Sequence, residues 1–181
     1  MIQEMELIYK SPNSMRKPEG GVTSLEIGRF QGIGEYVIKA DLNLNVSNND
    51  TFLFFTVNND RGGDNYSSIE HIYGRFRGET IHLVTFRPGG IHGGLFVTRT
   101  HNHRKSNINI ESKVFTSSAY PKIHLETTKP NLIISSHDDW ILEDVSSIYN
   151  SPIPEIKSMT FYTIPVNKFY GYLEIYRVIK E

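Results

Sequence analysis

Between Tyr36 and Val57 the chain alternates and then stops alternating. Ile38, Ala40, Leu42, Leu44 and Val46 interleave with Lys39, Asp41, Asn43 and Asn45, and after Ser47-Asn48-Asn49-Asp50 comes Thr51-Phe52-Leu53-Phe54-Phe55-Thr56-Val57. Side chains on a strand point alternately to opposite faces. The first run therefore has one apolar and one hydrated face, while the second has no polar face and must be covered on both sides. The pattern predicts a β-hairpin around which the rest of the chain is organised. Burying the larger side chains contributes about 1.5–3 kcal/mol each, enough to hold the register, because a one-residue slip would exchange the faces. Leu42, Leu44, Phe52 and Phe54 are expected in the core, with Trp140 as an aromatic anchor.

Short runs of the same kind recur along the chain. Met5–Tyr9 reads as a strand, and Thr23–Phe30 as another that Gln31-Gly32-Ile33-Gly34 turns into the central hairpin. Ile69–Phe76, Ile81–Arg87, Leu95–Thr100, Ile108–Phe115, Lys122–Thr127 and Asn131–Ser135 follow, separated by Gly-, Pro- and Asn-rich breaks. Trp140–Tyr149 suits either one short helix or a strand. Lys157–Ile164 and Phe169–Ile179 close the chain as a hairpin around Pro165-Val166-Asn167-Lys168. In the last strand Tyr170, Tyr172 and Tyr176 share a face; inner-face packing is favoured for them over subunit packing or a sugar-stacking platform. Many short strands with frequent turn signals and at most one short helix predict an all-β fold, an antiparallel β-sandwich or jelly roll. Residues 1–22, with Pro12 and Pro18 and no periodicity, read as an extended N-terminal arm, and residues 23–181 as a single β-sandwich domain.

At 181 residues and 20.8 kDa one domain can bury a substantial core. A net charge of −1 offers no general attraction to nucleic acid or an anionic membrane, and neither is expected as a partner. The absence of cysteine removes disulfides, thiolate catalysis and sulfur-ligated metals together. The N-terminus lacks the basic start and apolar core of a secretory signal, and no apolar window is long enough to insert into a membrane, so synthesis in a host cytoplasm is expected.

Two loops carry the candidate chemistry. Asn58–Ser68 is the most polar, and Asp60, Arg61, Asp64, Asn65 and Tyr66 are its candidate ligand contacts. Its acids lack the D-x-D-x-D-G spacing of a calcium loop, and Asn, Asp and Gly are also the residues that tolerate turn geometry. Pro88–Gly94, with His92 as a candidate contact, matches neither G-x-x-x-x-G-K-[ST] nor G-x-G-x-x-G, and no cofactor is expected. His101 and His103, two apart on a strand, would share a face; in a three-fold assembly such pairs supply six nitrogens to an octahedral metal, although an exposed polar turn is the favoured reading. His82, His124 or His137 with Asp138 or Asp139 would be an enzyme's acid–base set, but no nucleophile motif accompanies them, and no enzymatic activity is expected.

The succession Ser24-Leu25-Glu26-Ile27-Gly28-Arg29-Phe30, alternating strand, polar turn, aromatic strand and further strands through Lys122-Ile123-His124-Leu125-Glu126 resembles the jelly-roll heads of bacteriophage tail-fibre and virion-fibre proteins, over roughly Thr23 to Ser136. That resemblance implies a non-enzymatic structural or receptor-recognition component of a virus particle. It implies a homotrimer in contact with other virion proteins, presenting its distal loops to a host-surface glycan or protein. Fibre proteins usually carry a long shaft, so either the shaft has been removed or the arm before the head docks a compact virion component. The alternative is a stand-alone carbohydrate-binding module or lectin.

Overall fold

The computed structural model describes residues 3–28, 30, 34–44, 50–87, 93–100, 107–116, 122–134, 139–150 and 155–180. Thirteen strands form two antiparallel sheets packed as a sandwich. They are β1 (Met5–Lys10), β2 (Ser24–Ile27), β3 (Tyr36–Leu44), β4 (Phe52–Val57), β5 (Tyr66–Phe76), β6 (Glu79–Arg87), β7 (Leu95–Arg99), β8 (Asn107–Thr116), β9 (Ile123–Lys129), β10 (Asn131–Ile134), β11 (Trp140–Tyr149), β12 (Met159–Ile164) and β13 (Phe169–Val178). The helical elements among the described residues are three 3-10 turns at Asn13–Arg16, Pro18–Gly20 and Gly63–Asn65. Trp140–Tyr149 is strand throughout.

The larger sheet runs β1-β13-β3-β8-β9-β11-β5-β6, with β10 continuing beside β11, and the smaller runs β2-β12-β4-β7. The larger sheet's first four strands and the smaller sheet together have the strand order of an eight-stranded jelly roll, in which consecutive strands alternate between sheets except β4 and β7, which pair in the smaller one. Into that frame the chain inserts β5–β6 after β4 and β9–β11 after β8, and all the inserted strands extend the larger sheet.

The two predicted hairpins are corrected by this order. β3 lies in the larger sheet between β13 and β8, and β4 in the smaller between β12 and β7, so the two do not pair. The physical reason is in the pattern itself: β3 has Asp41 exposed and Ala40, Leu42 and Leu44 buried, whereas β4 is buried from Leu53 to Val57 and fits the middle of the smaller sheet. Likewise β12 pairs with β2 and β4 while β13 pairs with β1 and β3. Ser24–Ile27 pairs with β12 and not with the central strand.

Leu42, Leu44 and Phe54 are buried as expected and Phe52 packs partly against them, but Trp140 is 38% exposed, because it begins β11 beside the Arg75 end of β5, beyond the reach of the smaller sheet. The tyrosines are also displaced from the expectation. Phe169, Leu173 and Ile175 fill the inner face of β13, so Tyr170, Tyr172 and Tyr176 lie on its outer face, with Arg16 stacked over Tyr172 and Lys39 over Tyr176. Nor is the N-terminal segment a free arm. β1 pairs with β13, Met15 is buried in the core, and the Ser11 hydroxyl donates to the Gly171 carbonyl (3.0 Å) while accepting from the Leu173 N–H (3.1 Å). A Cβ at Gly171, whose φ is +132°, would lie 2.4 Å from the Asp41 carbonyl oxygen, so only glycine fits there.

Candidate functional site

The polar loop after β4 is built around Asp60. Asn58 and Asn59 take positive φ, and Asn58 Oδ1 accepts from the backbone N–H groups of Lys157 and Ser158, which ties the loop to the segment before β12. The Asp60 carboxylate accepts from the Tyr149 hydroxyl, from Asn65 Nδ2 (2.7 Å) and from the Gly62 N–H (2.8 Å). Those bonds, led by the one from Tyr149, hold its carboxyl below the usual range. Tyr66 is buried, with its hydroxyl donating to the Asp60 carbonyl and accepting from the Val57 N–H. Asp60, Asn65 and Tyr66 therefore brace the loop from within.

Arg61 faces differently. It lines a groove of about 390 Å³ on the outside of the smaller sheet with Ser24, Thr56, Thr160 and Tyr162, and with Gly93 from the second predicted loop. A Cβ on Gly93 would lie 2.2 Å from the Arg61 carbonyl oxygen, so the two loops meet backbone to backbone. Burial pushes the Tyr162 phenol up to about 12, against lowering by Arg61, and its ring stacks on Phe54 (5.7 Å). The groove thus offers several hydroxyls, one neutral phenol and one guanidinium, a lining that suits a polyol bearing a negative group. Asp64, also in this loop, is the middle residue of the 3-10 turn Gly63–Asn65.

A second constellation was missed from the sequence. Glu70 on β5 and Glu143 on β11 are buried between the sheets, with Arg87 Nη2 3.2 Å and Arg99 Nε 3.1 Å from Glu70. Arg99 also lies 3.7 Å from Glu143 and 3.5 Å from Asp50, and the Thr98 hydroxyl donates to Glu143 (2.6 Å). Arg87 stacks over Phe52 and Phe96, and Arg99 over Phe52. Burial raises both carboxyls; in Glu70, pushed up to about 7, the neighbouring Glu143 adds to the rise and the two guanidiniums oppose it. One proton on the pair leaves two negative groups, counting Asp50, against two guanidiniums. This neutral cluster is closed to solvent at both glutamates and serves the fold. The signal was a Glu at an inner position in each alternating strand, between Ser68 and Ile72 and between Ile141 and Val145.

Of the remaining predicted residues, His92, His101, His103, His137 and Asp138 lie outside the described residues. His82 stacks on His71, His124 on Phe115, and Asp139 accepts from the Arg77 N–H, so the structure places His82, His124 and Asp139 on separate elements. Among the described residues no group of three or more His, Asp or Glu is placed to hold a metal ion, and no helix is long and apolar enough to cross a membrane. The chain was compared with protein families, with curated proteins and with solved structures. Nothing matches.

Proposed function

We propose that the chain is a non-enzymatic structural and receptor-recognition component of a phage particle, a fibre or tail head domain whose Arg61 groove takes a host-surface glycan carrying an acidic group. The observation that carries this reading is the meeting of Arg61 and Gly93 from the two loops at a hydroxyl-lined groove on a rigid β scaffold. In this reading the chain is made in the host cytoplasm, resides in the virion and works as a homotrimer beside other virion proteins. The test is mass spectrometry of purified particles combined with Arg61→Ala. The chain should be present in multiples of three copies, and the variant should incorporate normally while attachment to host cells falls. Absence from particles overturns the virion assignment.

A stand-alone carbohydrate-binding module is the second reading, favoured by the outer face of the larger sheet. There Tyr172 lines a shallow groove of about 270 Å³ with Lys39, Asp41, Asn109, Glu111 and Lys129. Glycan binding by the isolated monomer, lost in Tyr172→Ala and kept in Arg61→Ala, would favour it over the particle reading.

A further inference from the structure

Among the described residues five strands have an unpaired edge, and β6 differs from the other four. β2, β7 and β10 have four, five and four residues. β1 has a register irregularity between Leu7 and Tyr9 and carries Glu6 and Lys10. Short length, irregular pairing and edge charges, lysine above all, are the devices by which native sheets discourage further pairing. β6 has nine residues, runs opposite β5 with no register shift, and contains neither Lys nor Pro. Leu83 (57% exposed), Val84 (55%) and Phe86 (63%) stand on both of its faces, and Ile69 (39%), opposite Phe86 on β5, extends the apolar patch. Apolar side chains on both sides of a free strand edge are what a further strand would cover.

The charges at the ends of β6 identify that strand. Glu79 opens it and Arg87 closes it. Laid antiparallel against itself with Leu83 at the centre, β6 sets Glu79 opposite Arg87 of the second copy at both ends, Leu83 opposite Leu83, and pairs every residue. Among the described residues Arg87 bonds Glu70 through Nη2, and a guanidinium has further donors. A parallel arrangement would set Glu79 against Glu79 and Arg87 against Arg87, and antiparallel registers shifted by two or more residues leave both charges unmatched. We infer that β6 is a two-fold self-association edge, joining the larger sheets of two copies into one continuous sheet across a dyad at Leu83. This rests on the self-association part of the proposed function and is a contact separate from any three-fold packing of heads.

Because the chain has no cysteine, Leu83→Cys in the full-length protein reports the dyad directly. Directly opposed residues of an antiparallel pair lie within disulfide reach. Mild oxidation should give a covalent dimer from Leu83→Cys and none from Glu79→Cys alone, while a mixture of Thr80→Cys and Phe86→Cys should cross-link. The exposed-site double variant Val84→Lys/Phe86→Lys should keep the native circular dichroism and halve the sedimentation mass. Glu79→Lys should weaken the pairing roughly 2- to 30-fold, the loss of two cross-strand ion pairs. A native mass unchanged in the Val84→Lys/Phe86→Lys variant, or Leu83→Cys that stays uncrosslinked while the mass is multimeric, overturns the inference. A cross-linked Leu83→Cys dimer from a chain absent in particles upholds it and overturns the virion reading instead.

Discussion

Two halves of the larger sheet meet the smaller one in different ways. On one side β1, β13, β3 and β8 lie across from β2, β12, β4 and β7, and the space between them is filled by Ile38, Leu42, Phe55, Phe161 and Leu173, each fully buried. On the other side β9, β11 and β5 pass around β7, the last strand of the smaller sheet, where Tyr66, Leu125, Val145 and Tyr149 continue the core and polar contacts join them: Ser147 Oγ to the Phe96 carbonyl, Thr98 to Glu143, and the arginine–glutamate cluster. β6 lies beyond β5, with Arg87 at its end reaching back over Phe52 and Phe96. A sheet of nine strands over a sheet of four cannot be apolar throughout, and the composition of each strand follows the depth of its cover. The jelly-roll half is held by apolar packing, and the extension adds a few paired charges and hydroxyls to its own packing.

The largest effect should come from a single substitution made in each half. Leu42→Asp places an unpaired charge at a fully buried position and should cost more than about 4 kcal/mol, unfolding the chain in urea titrations followed by circular dichroism. Leu83→Asp, on the uncovered strand, should change the stability of the monomer by less than about 0.5 kcal/mol. Equal losses would erase the distinction between the halves.

Next in size is the charge cluster. Glu143→Ala leaves Arg99 without one of its buried counter-charges and should cost about 3–5 kcal/mol. Its pH dependence has a definite sign. Glu70 keeps its proton up to about 7 in the folded chain, against about 4.5 when unfolded, so between these values the folded state binds more protons. The stability this group contributes is complete below about 4.5 and is lost as pH rises through about 7, a decline of about 1–3 kcal/mol. Glu70→Gln, which mimics the protonated form, should flatten that slope when unfolding is measured from pH 4.5 to 8. An unchanged slope would remove the shared proton from the account.

A smaller effect belongs to the loop between the halves. Tyr149→Phe removes one bond to Asp60 and should cost about 1–3 kcal/mol, with faster hydrogen exchange at the Gly62 and Asn65 amides.

Period-two alternation made the fold class, most strand positions and the burial of Leu42, Leu44 and Phe54 legible. The partners of each strand were not, because alternation reports which face is covered and says nothing about which sheet covers it. Two apolar runs joined by a polar turn look alike whether they pair or cross a sandwich, hence the hairpins expected at Tyr36–Val57 and Lys157–Ile179. Trp140 misled for a related reason: its size argues for burial, but its place at the start of β11 sets it outside the cover. Asp60, Asn65 and Tyr66 were found as a polar group, yet whether such side chains face a ligand or one another depends on Tyr149, which comes 89 residues after Asp60. Glu70 and Glu143 could have been noticed as carboxylates at inner positions of alternating strands.

The pairing of β1 with β13, Met5 opposite Val178, also sets a timetable for synthesis. At ordinary translation speeds β1 leaves the ribosome on the order of 10 to 30 s before its partner is made. β3 must wait for β8 on one side and for β13 on the other, and β2 and β4 both wait for β12. Nearly every jelly-roll strand is thus closed by a segment made long after it, and the sandwich cannot be completed until the last strand emerges. Such non-local closure folds slowly, so nascent chains spend that interval with apolar strands such as Phe52–Val57 open to one another. Crowding of ribosomes on one message would favour exchange of β13 between neighbouring chains, a route to entangled copies before any individual chain has finished.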